Sequence, residues 1–309
     1  MEQHYTEHIP VMLAPVLATL ALQPGMRVVD ATLGGGGYTR ALLEAIGPEG
    51  RMIALDWDNS ALERFRIRAE KDVLLQEALK TGRLALVCTS YAELLETLRS
   101  LDWSGADRIV ADLGLSSDQL SDPKRGITFQ SEGPLDMRLN SSETVKAEHL
   151  LNQLDEASLA DLFETYGDEP EAKRIASAVV AARQSMPLQT TTELRELIWS
   201  NVVPARRRGK THPATKVFQA LRIAVNSEQA HLERFLLAIP ELLSPGGRAA
   251  VVTFHSGEDR TVKQLFQKNI RSETPTLRWI TKKPLVPDES EIRANPRARS
   301  AKLRTVERI

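Results

Sequence analysis

The sequence predicts an α/β fold with a parallel sheet, broken in its middle by an all-helical segment. Three observations carry this prediction. Apolar segments alternate with amphipathic ones in the order of βαβ units: Arg27 to Thr32, Arg51 to Asp56, Leu84 to Cys88 and Arg108 to Leu113 read as strands, with helical stretches such as Ser60 to Ala69 between them. The first strand runs directly into four glycines, Gly34 to Gly37. From about Ser121, roughly 100 residues, a domain-sized interval, show helical runs and no convincing strand.

Within that interval Asp155 to Tyr166 opens with Asp-Glu and carries Leu159, Leu162 and Phe163 at helical spacing. Glu169 to Gln184 and Thr191 to Val202 read the same way, with Thr190 or Thr191 as N-cap of the latter. Phe218 to Leu243 reads as one helix stopped by Ser244-Pro245-Gly246-Gly247, and strand character returns at Ala249 to His255, Leu277 to Thr281 and Lys302 to Arg308. The expected organisation is a sheet domain over 1–120 and 219–309 with a helical insertion over 121–218.

Composition bounds the function. A chain of 309 residues with 42% hydrophobic and 26% charged content can bury about 75% of its unfolded surface, as one large domain or two modest ones. Lys and Arg total 40 against 41 Asp and Glu, so overall charge does not mark a nucleic-acid binder and any such surface must be local. One cysteine, Cys88, excludes an intrachain disulfide and suits a reducing, cytoplasmic setting. The apolar run Ile9 to Leu22 holds Pro10 and Pro15 and has no Lys or Arg before Arg27, so neither a signal peptide nor a membrane span is expected. His4 and His8 have helical spacing but no companion ligands, and no metal site is expected.

A glycine loop after an apolar strand lets backbone pass close to a ligand, and Asp56, nineteen residues after Gly37 at the end of the next strand, is placed to accept hydrogen bonds from ribose hydroxyls. The dinucleotide spacing G-x-G-x-x-G fails, because Thr39 and Arg40 stand where its third glycine would be. The loop suits S-adenosylmethionine better than a pyrophosphate, the alternative being a glycine turn with no ligand. Asp112, at the end of the fourth strand, lies where parallel sheets bind ligands. Ser116 and Ser117 follow it, and with Asp112 are candidate hydrogen-bond acceptors for a substrate, the serines otherwise being ordinary turn residues. His255 also follows an apolar strand, either facing substrate or buried and structural. Gly209-Lys210-Thr211 is not a P-loop, since Pro204 occupies the position of its first glycine. What remains is Arg206-Arg207-Arg208-Gly209-Lys210, a candidate contact for RNA phosphates or a solvated loop. The tail adds Arg293, Arg297, Arg299, Lys302, Arg304 and Arg308, a possible second wall of an RNA groove.

Several segments in order resemble the ribosomal RNA small subunit methyltransferase H family, also called MraW. They are His8 to Leu13, the glycine loop, Asp112-Leu113-Gly114-Leu115-Ser116-Ser117, Arg125 to Phe129, Gly133 to Arg138, His212 to Thr215, Phe254-His255-Ser256, Glu258-Asp259-Arg260 and Asn295 to Ser300. The resemblance implies a class I S-adenosylmethionine-dependent methyltransferase with a Rossmann-like, seven-stranded, mostly parallel sheet. Its implied activity is methyl transfer to N4 of a cytidine, position 1402, of 16S ribosomal RNA in the small ribosomal subunit or a late precursor. It places S-adenosylmethionine contacts at Gly36, Gly37, Tyr38, Asp56, Tyr91, Asp112 and Gln119. Tyr38 stands where the family commonly has histidine and Tyr91 where it has phenylalanine, so a backbone contact at 38 survives and an aromatic face at 91 is kept. The N4 assignment rests on resemblance, because Asp112-Leu113-Gly114-Leu115 is not the Asp/Asn-Pro-Pro-aromatic tetrad of many amino methyltransferases. Chemistry at cytosine C5 needs a cysteine nucleophile, and Cys88 sits at a different strand end without a Pro-Cys pair. The rival readings are methylation of another RNA base, a small molecule or a protein, and a noncatalytic RNA-binding relative. Oligomeric state is not legible.

Overall fold

Seven strands form one sheet: β1 Arg27–Asp30, β2 Arg51–Asp56, β3 Leu84–Cys88, β4 Ala106–Asp112, β5 Leu243–Thr253, β6 Leu277–Trp279 and β7 Lys302–Arg308. Their spatial order is β3-β2-β1-β4-β5-β7-β6, all parallel except β7, which runs antiparallel to both its neighbours. The computed structural model describes residues 10–309, so His4 and His8 lie outside the described residues. It divides into two units, one holding the chain up to Ser116 with Ala230–Ile309, the other Ser117–Gln229.

The sheet is covered on both faces, which is why its strands read as continuous apolar runs. Val28, Met52, Ala54, Val110 and Val252 pack against the helices Gly37–Ile46, Asn59–Ala69 and Val73–Lys80 through Leu42, Phe65 and Leu75. The alternate residues Val29, Ile53, Ile109 and Val251 face Leu98, Phe235 and Phe266 on the other side. The helix Leu13–Leu20, not expected from the sequence, tolerates Pro15 because a first turn needs no N–H partner. Its terminal carbonyls are collected by guanidinium groups, Arg108 donating to Leu20 and Ala21 and Arg248 to Thr19.

The second unit is helical, with Glu156–Gly167, Ala172–Arg183, Thr191–Asn201 and Ala214–Val225 packed around Phe163, Ile175, Leu194 and Phe218. Asp155 caps the first of these, accepting the Ser158 N–H at 2.7 Å, and Thr190 with Glu193 forms a reciprocal capping box on the third. The helix expected over Phe218 to Leu243 is two helices, Ala214–Val225 and Glu228–Leu242. Asn226 ends the first: its amide donates to the carbonyls of Met137 and Arg222 and accepts the Leu139 N–H, and Ser227 takes a left-handed conformation, φ 49°. Those bonds belong to a loop distant in sequence, so periodicity carried no sign of the break. The strand expected over Ala249 to His255 begins earlier, at Leu243, with Ser244–Gly247 looped out between the pairs Ala106↔Leu243 and Arg108↔Arg248.

β7, in the interior of the sheet, brings Arg304 into the protein at 5% exposure, where its Nε donates to Asp259 at 2.7 Å, while Lys302 reaches the other Asp259 oxygen at 2.9 Å. These cations hold the Asp259 carboxyl below its usual range despite burial. Asp259→Ala, which leaves Arg304 buried without its counter-charge, is expected to lower stability by about 3 to 5 kcal/mol. Chemical denaturation read at a single denaturant slope checks this.

Candidate active site

The strand order reverses at β1: the chain moves outward through β2 and β3, then returns to lay β4 on the other side of β1. At such a switch point the loops leaving the two strands part in opposite directions and leave a crevice at their carboxyl ends. Here the loop after β1 is the glycine segment, with Gly34 at φ 48° and Gly36 at φ 76°, and the helix Gly37–Ile46 begins directly behind it. A positive φ is inexpensive only without a Cβ, which is the local reason for glycine at both positions.

Asp56 organises this loop. Its Oδ2 accepts the Gly34 N–H at 2.9 Å and its Oδ1 the Asp58 N–H at 2.8 Å, while Leu33 donates to the Leu55 carbonyl at 2.6 Å. Each carboxylate oxygen keeps acceptor capacity for a hydroxyl. Across the crevice Thr32 Oγ1 accepts the Asp112 N–H at 2.7 Å, and a Cβ on Gly34 would stand 3.9 Å from that of Ser116. The structure thus brings Gly36, Gly37, Asp56, Asp112 and Ser116 to one end of the sheet.

A residue the sequence reading did not single out joins them. Asp30, the last residue of β1, is fully buried and accepts from Thr39 Oγ1 at 2.7 Å and from the Thr32 N–H at 3.2 Å. Its signal was a carboxylate closing an apolar strand. Burial pushes Asp30 up to about 7, opposed by these two bonds and reinforced by Asp112 and Asp56. Burial likewise takes Asp56 to about 6 and Asp112 to about 7, with buried Glu258 adding to the latter. Three carboxylates at adjacent strand ends, each raised mainly by burial and only Asp56 with a cation, Arg64, near enough to oppose the rise, give this end of the sheet an acidic lining. They fit the sulfonium and ammonium charges of S-adenosylmethionine and repel a pyrophosphate.

Tyr38 is a strut: only 4% exposed, its hydroxyl donates to the Val11 carbonyl, and burial with Asp112 and Asp30 nearby raises its pKa well above the ordinary value. Tyr91, at the start of the 3-10 turn after β3, meets Phe235 edge to face with centroids 5.5 Å apart. Cys88, exposed at the end of β3 in register with Asp56, has its thiol pKa raised by partial desolvation together with Asp56 and Asp58, the reverse of nucleophile activation. His255 takes the structural alternative: its Nδ1 accepts the Glu258 N–H, capping the helix Ser256–Ile270, and its Nε2 lies 3.0 Å from Glu258 Oε1.

Ser117 and Gln119 lie on the short helix Ser117–Ser121 in the helical unit. The cationic run in that unit is divided. Arg206, expected to face RNA, instead forms a two-pronged pair with Glu169, which is 1% exposed, because a buried carboxylate captures the nearest guanidinium. Arg207 donates to the carbonyls of Ser200 and Val202, while Arg208 and Lys210 are exposed. Of the tail cations, Lys302 and Arg304 are bound to Asp259 and Arg308 donates to the Leu243 carbonyl, while Arg293, 3.8 Å from Glu289, Arg297 and Arg299 are exposed. Among the described residues no helix is long and apolar enough to cross a membrane, and no group of His, Cys, Asp and Glu could hold a metal.

A sheet of this order with its antiparallel seventh strand, and an acid-lined glycine crevice at the switch point, define a class I S-adenosylmethionine-dependent methyltransferase. The chain belongs to the MraW methylase family, whose pattern matches residues 5–309. It is 44% identical to the ribosomal RNA small subunit methyltransferase H of Thermomicrobium roseum over 98% of this chain and 94% of that protein. The protein of the same name from Magnetococcus marinus is also 44% identical, over 98% of this chain and 99% of its own length. A solved methyltransferase homologue from Pyrococcus horikoshii overlaps 97% of this chain and 66% of that one at 15% identity and a TM-score of 0.44, too loosely to carry any argument.

Because the folded protein retains protons on these acids that the unfolded chain has released, their own contribution is expected to lower the stability of the ligand-free protein as pH rises from about 4 to about 7. A bound cation favours the ionised acids, so S-adenosylmethionine affinity is expected to rise between about pH 5 and about pH 8. Asp56→Ala should weaken binding at the upper pH by about 1.5 to 3 kcal/mol, the value of charge-assisted hydrogen bonds. One calorimetric pH series on both proteins checks this; an affinity untouched by the substitution in a folded protein removes Asp56 from the pocket.

Proposed function

We propose that this enzyme transfers a methyl group from S-adenosyl-L-methionine to N4 of a cytidine in 16S ribosomal RNA, within the small ribosomal subunit or a late precursor of it. The observation that carries this reading is Asp112, a half-buried carboxylate with its pKa raised by desolvation to about 7, at the carboxyl end of β4 beside the glycine loop. The names of the relatives supply the substrate class, and the motif resemblance supplies N4. A substrate in the ribosome carries with it a cytoplasmic setting.

When bound, S-adenosylmethionine supplies a methyl group on a positively charged sulfur, an electrophile that needs alignment more than activation. The protein's part is therefore positional and electrostatic. Asp56 holds the glycine loop and offers acceptors for ribose hydroxyls. The cytosine amine is a weak nucleophile, because its lone pair is delocalised into the ring. An oxygen of Asp112 that accepts one of its N–H bonds favours localisation of that pair as the C–N bond forms and the C–S bond breaks. A carboxyl with a pKa of about 7 is also matched to take the proton that the methylated nitrogen must lose. Ser116 is a further acceptor on the same loop, and for Ser117 and Gln119 the assignment rests on the motif alone.

Asp112→Asn is expected to lower single-turnover methyl transfer to small-subunit RNA far more than it raises the S-adenosylmethionine dissociation constant. Equal losses in both would make Asp112 a cofactor contact only. For the RNA side, replacing exposed Arg208 and Lys210 together by alanine should reduce the salt dependence of RNA binding by roughly 0.7 log units per lost phosphate contact, leaving cofactor affinity unchanged. Arg206→Ala should instead lower stability, because it strands Glu169. Binding across a salt series beside thermal melts separates the two effects.

A further inference from the structure

In the helical unit a ladder of rings climbs from core to surface. Phe218, 3% exposed, meets Phe129 at 5.1 Å between centroids; Phe129 meets His212 at 4.8 Å; and His212 lies nearly parallel to Trp199 at 5.2 Å and 21°. The ladder does not end inside the protein. Trp199 is 39% exposed, a costly place for the largest aromatic side chain unless something covers it, and the Arg207 guanidinium stands 6.0 Å from its ring centre.

Around this ring the polar groups are arranged for a nucleotide. His212 Nδ1 accepts the Ala214 N–H at 3.1 Å, so the neutral ring carries its proton on Nε2 as a donor. Burial, with Arg195 nearby, lowers the His212 pKa and keeps it in that neutral form. Arg207 donates to the carbonyls of Ser200 and Val202, and its guanidinium carbon stands over the indole ring at 6.0 Å. Arg208, next to Arg207, and Lys210, two residues before His212, are exposed cations. An exposed ring flanked by cations is how proteins hold unpaired nucleotides, stacking the base while cations follow the phosphates.

We propose that Trp199, backed by His212 and flanked by Arg207, is a stacking surface for an unpaired base of the RNA substrate, with Arg208 and Lys210 on the adjoining phosphates. The proposal rests on the reading of this enzyme as an RNA methyltransferase and adds to it a single-stranded recognition element built wholly within the helical unit.

The probe is a short, unstructured oligocytidylate titrated against the full-length protein, its binding followed by tryptophan fluorescence and by the anisotropy of a labelled oligonucleotide. Trp199→Leu is expected to weaken binding by about tenfold, the loss of one base stack, with S-adenosylmethionine affinity unchanged. Trp199→Phe keeps a ring and should retain most of the affinity. It should nonetheless abolish the RNA-induced quenching, assigning that signal to Trp199 among the four tryptophans. The wild-type and Trp199→Phe comparison decides the matter even where the leucine variant folds poorly. Quenching that persists in Trp199→Phe, or unchanged RNA affinity in a folded Trp199→Leu, would overturn the proposal. Methyl transfer to small ribosomal subunits is measured in parallel. Transfer by the wild type with RNA affinity unmoved by Trp199→Leu sinks the stacking surface alone; absence of transfer with RNA affinity lost in that variant sinks the functional reading alone.

Discussion

The bond from the Gly34 N–H to the Asp56 carboxylate is the constraint on which the rest of the site depends. A glycine loop alone has many conformations and loses more entropy on ordering than any other segment of its length. Here it is bound at one side by the acid ending β2 and, through Thr32, at the other by the backbone of the last residue of β4. The loop is thereby fixed between the two strands that part at the switch point, and its shape is decided before any ligand arrives. Preorganisation of this kind lowers the entropy lost on binding.

The same arrangement concentrates negative charge. Asp30, Asp56 and Asp112 end three adjacent parallel strands, and each is shifted upward by burial. In a structural ion-pair network the shift of a carboxylate runs downward, as it does at Asp259, Asp72 and Asp136, each held by a cation. The contrast separates the acids held by a bonded cation from those whose shift is set mainly by burial, Asp56 feeling only the more distant Arg64. Stability is lost at the second kind, as is usual where a site is built for binding and not for folding.

In the helical unit the division of labour falls within a single stretch of basic chain. Arg206 turns inward to Glu169, Arg207 is tied to two carbonyls beside Trp199, and Arg208 and Lys210 face solvent. Four cations that are equivalent by composition therefore serve three different purposes. Only the exposed ones are placed to meet phosphates, as the proposed RNA contact requires.

By itself the sequence determined the sheet class, the position of most strands, the glycine loop with Asp56 and Asp112, and the family, because these depend on local patterns: apolar runs, glycine at positive φ, and acids at strand ends. It did not determine where the helix after Ala214 ends, since Asn226 is bonded to Met137 and Leu139 far away in the chain. Nor did it show that Tyr38 is a strut to Val11, that His255 is a helix cap, or that Arg206 belongs to Glu169. A residue's type states which partners it is able to take. Which partner it has depends on what the folded chain brings within hydrogen-bond reach and on whether burial makes leaving that group unpaired costly, and only the tertiary structure decides both.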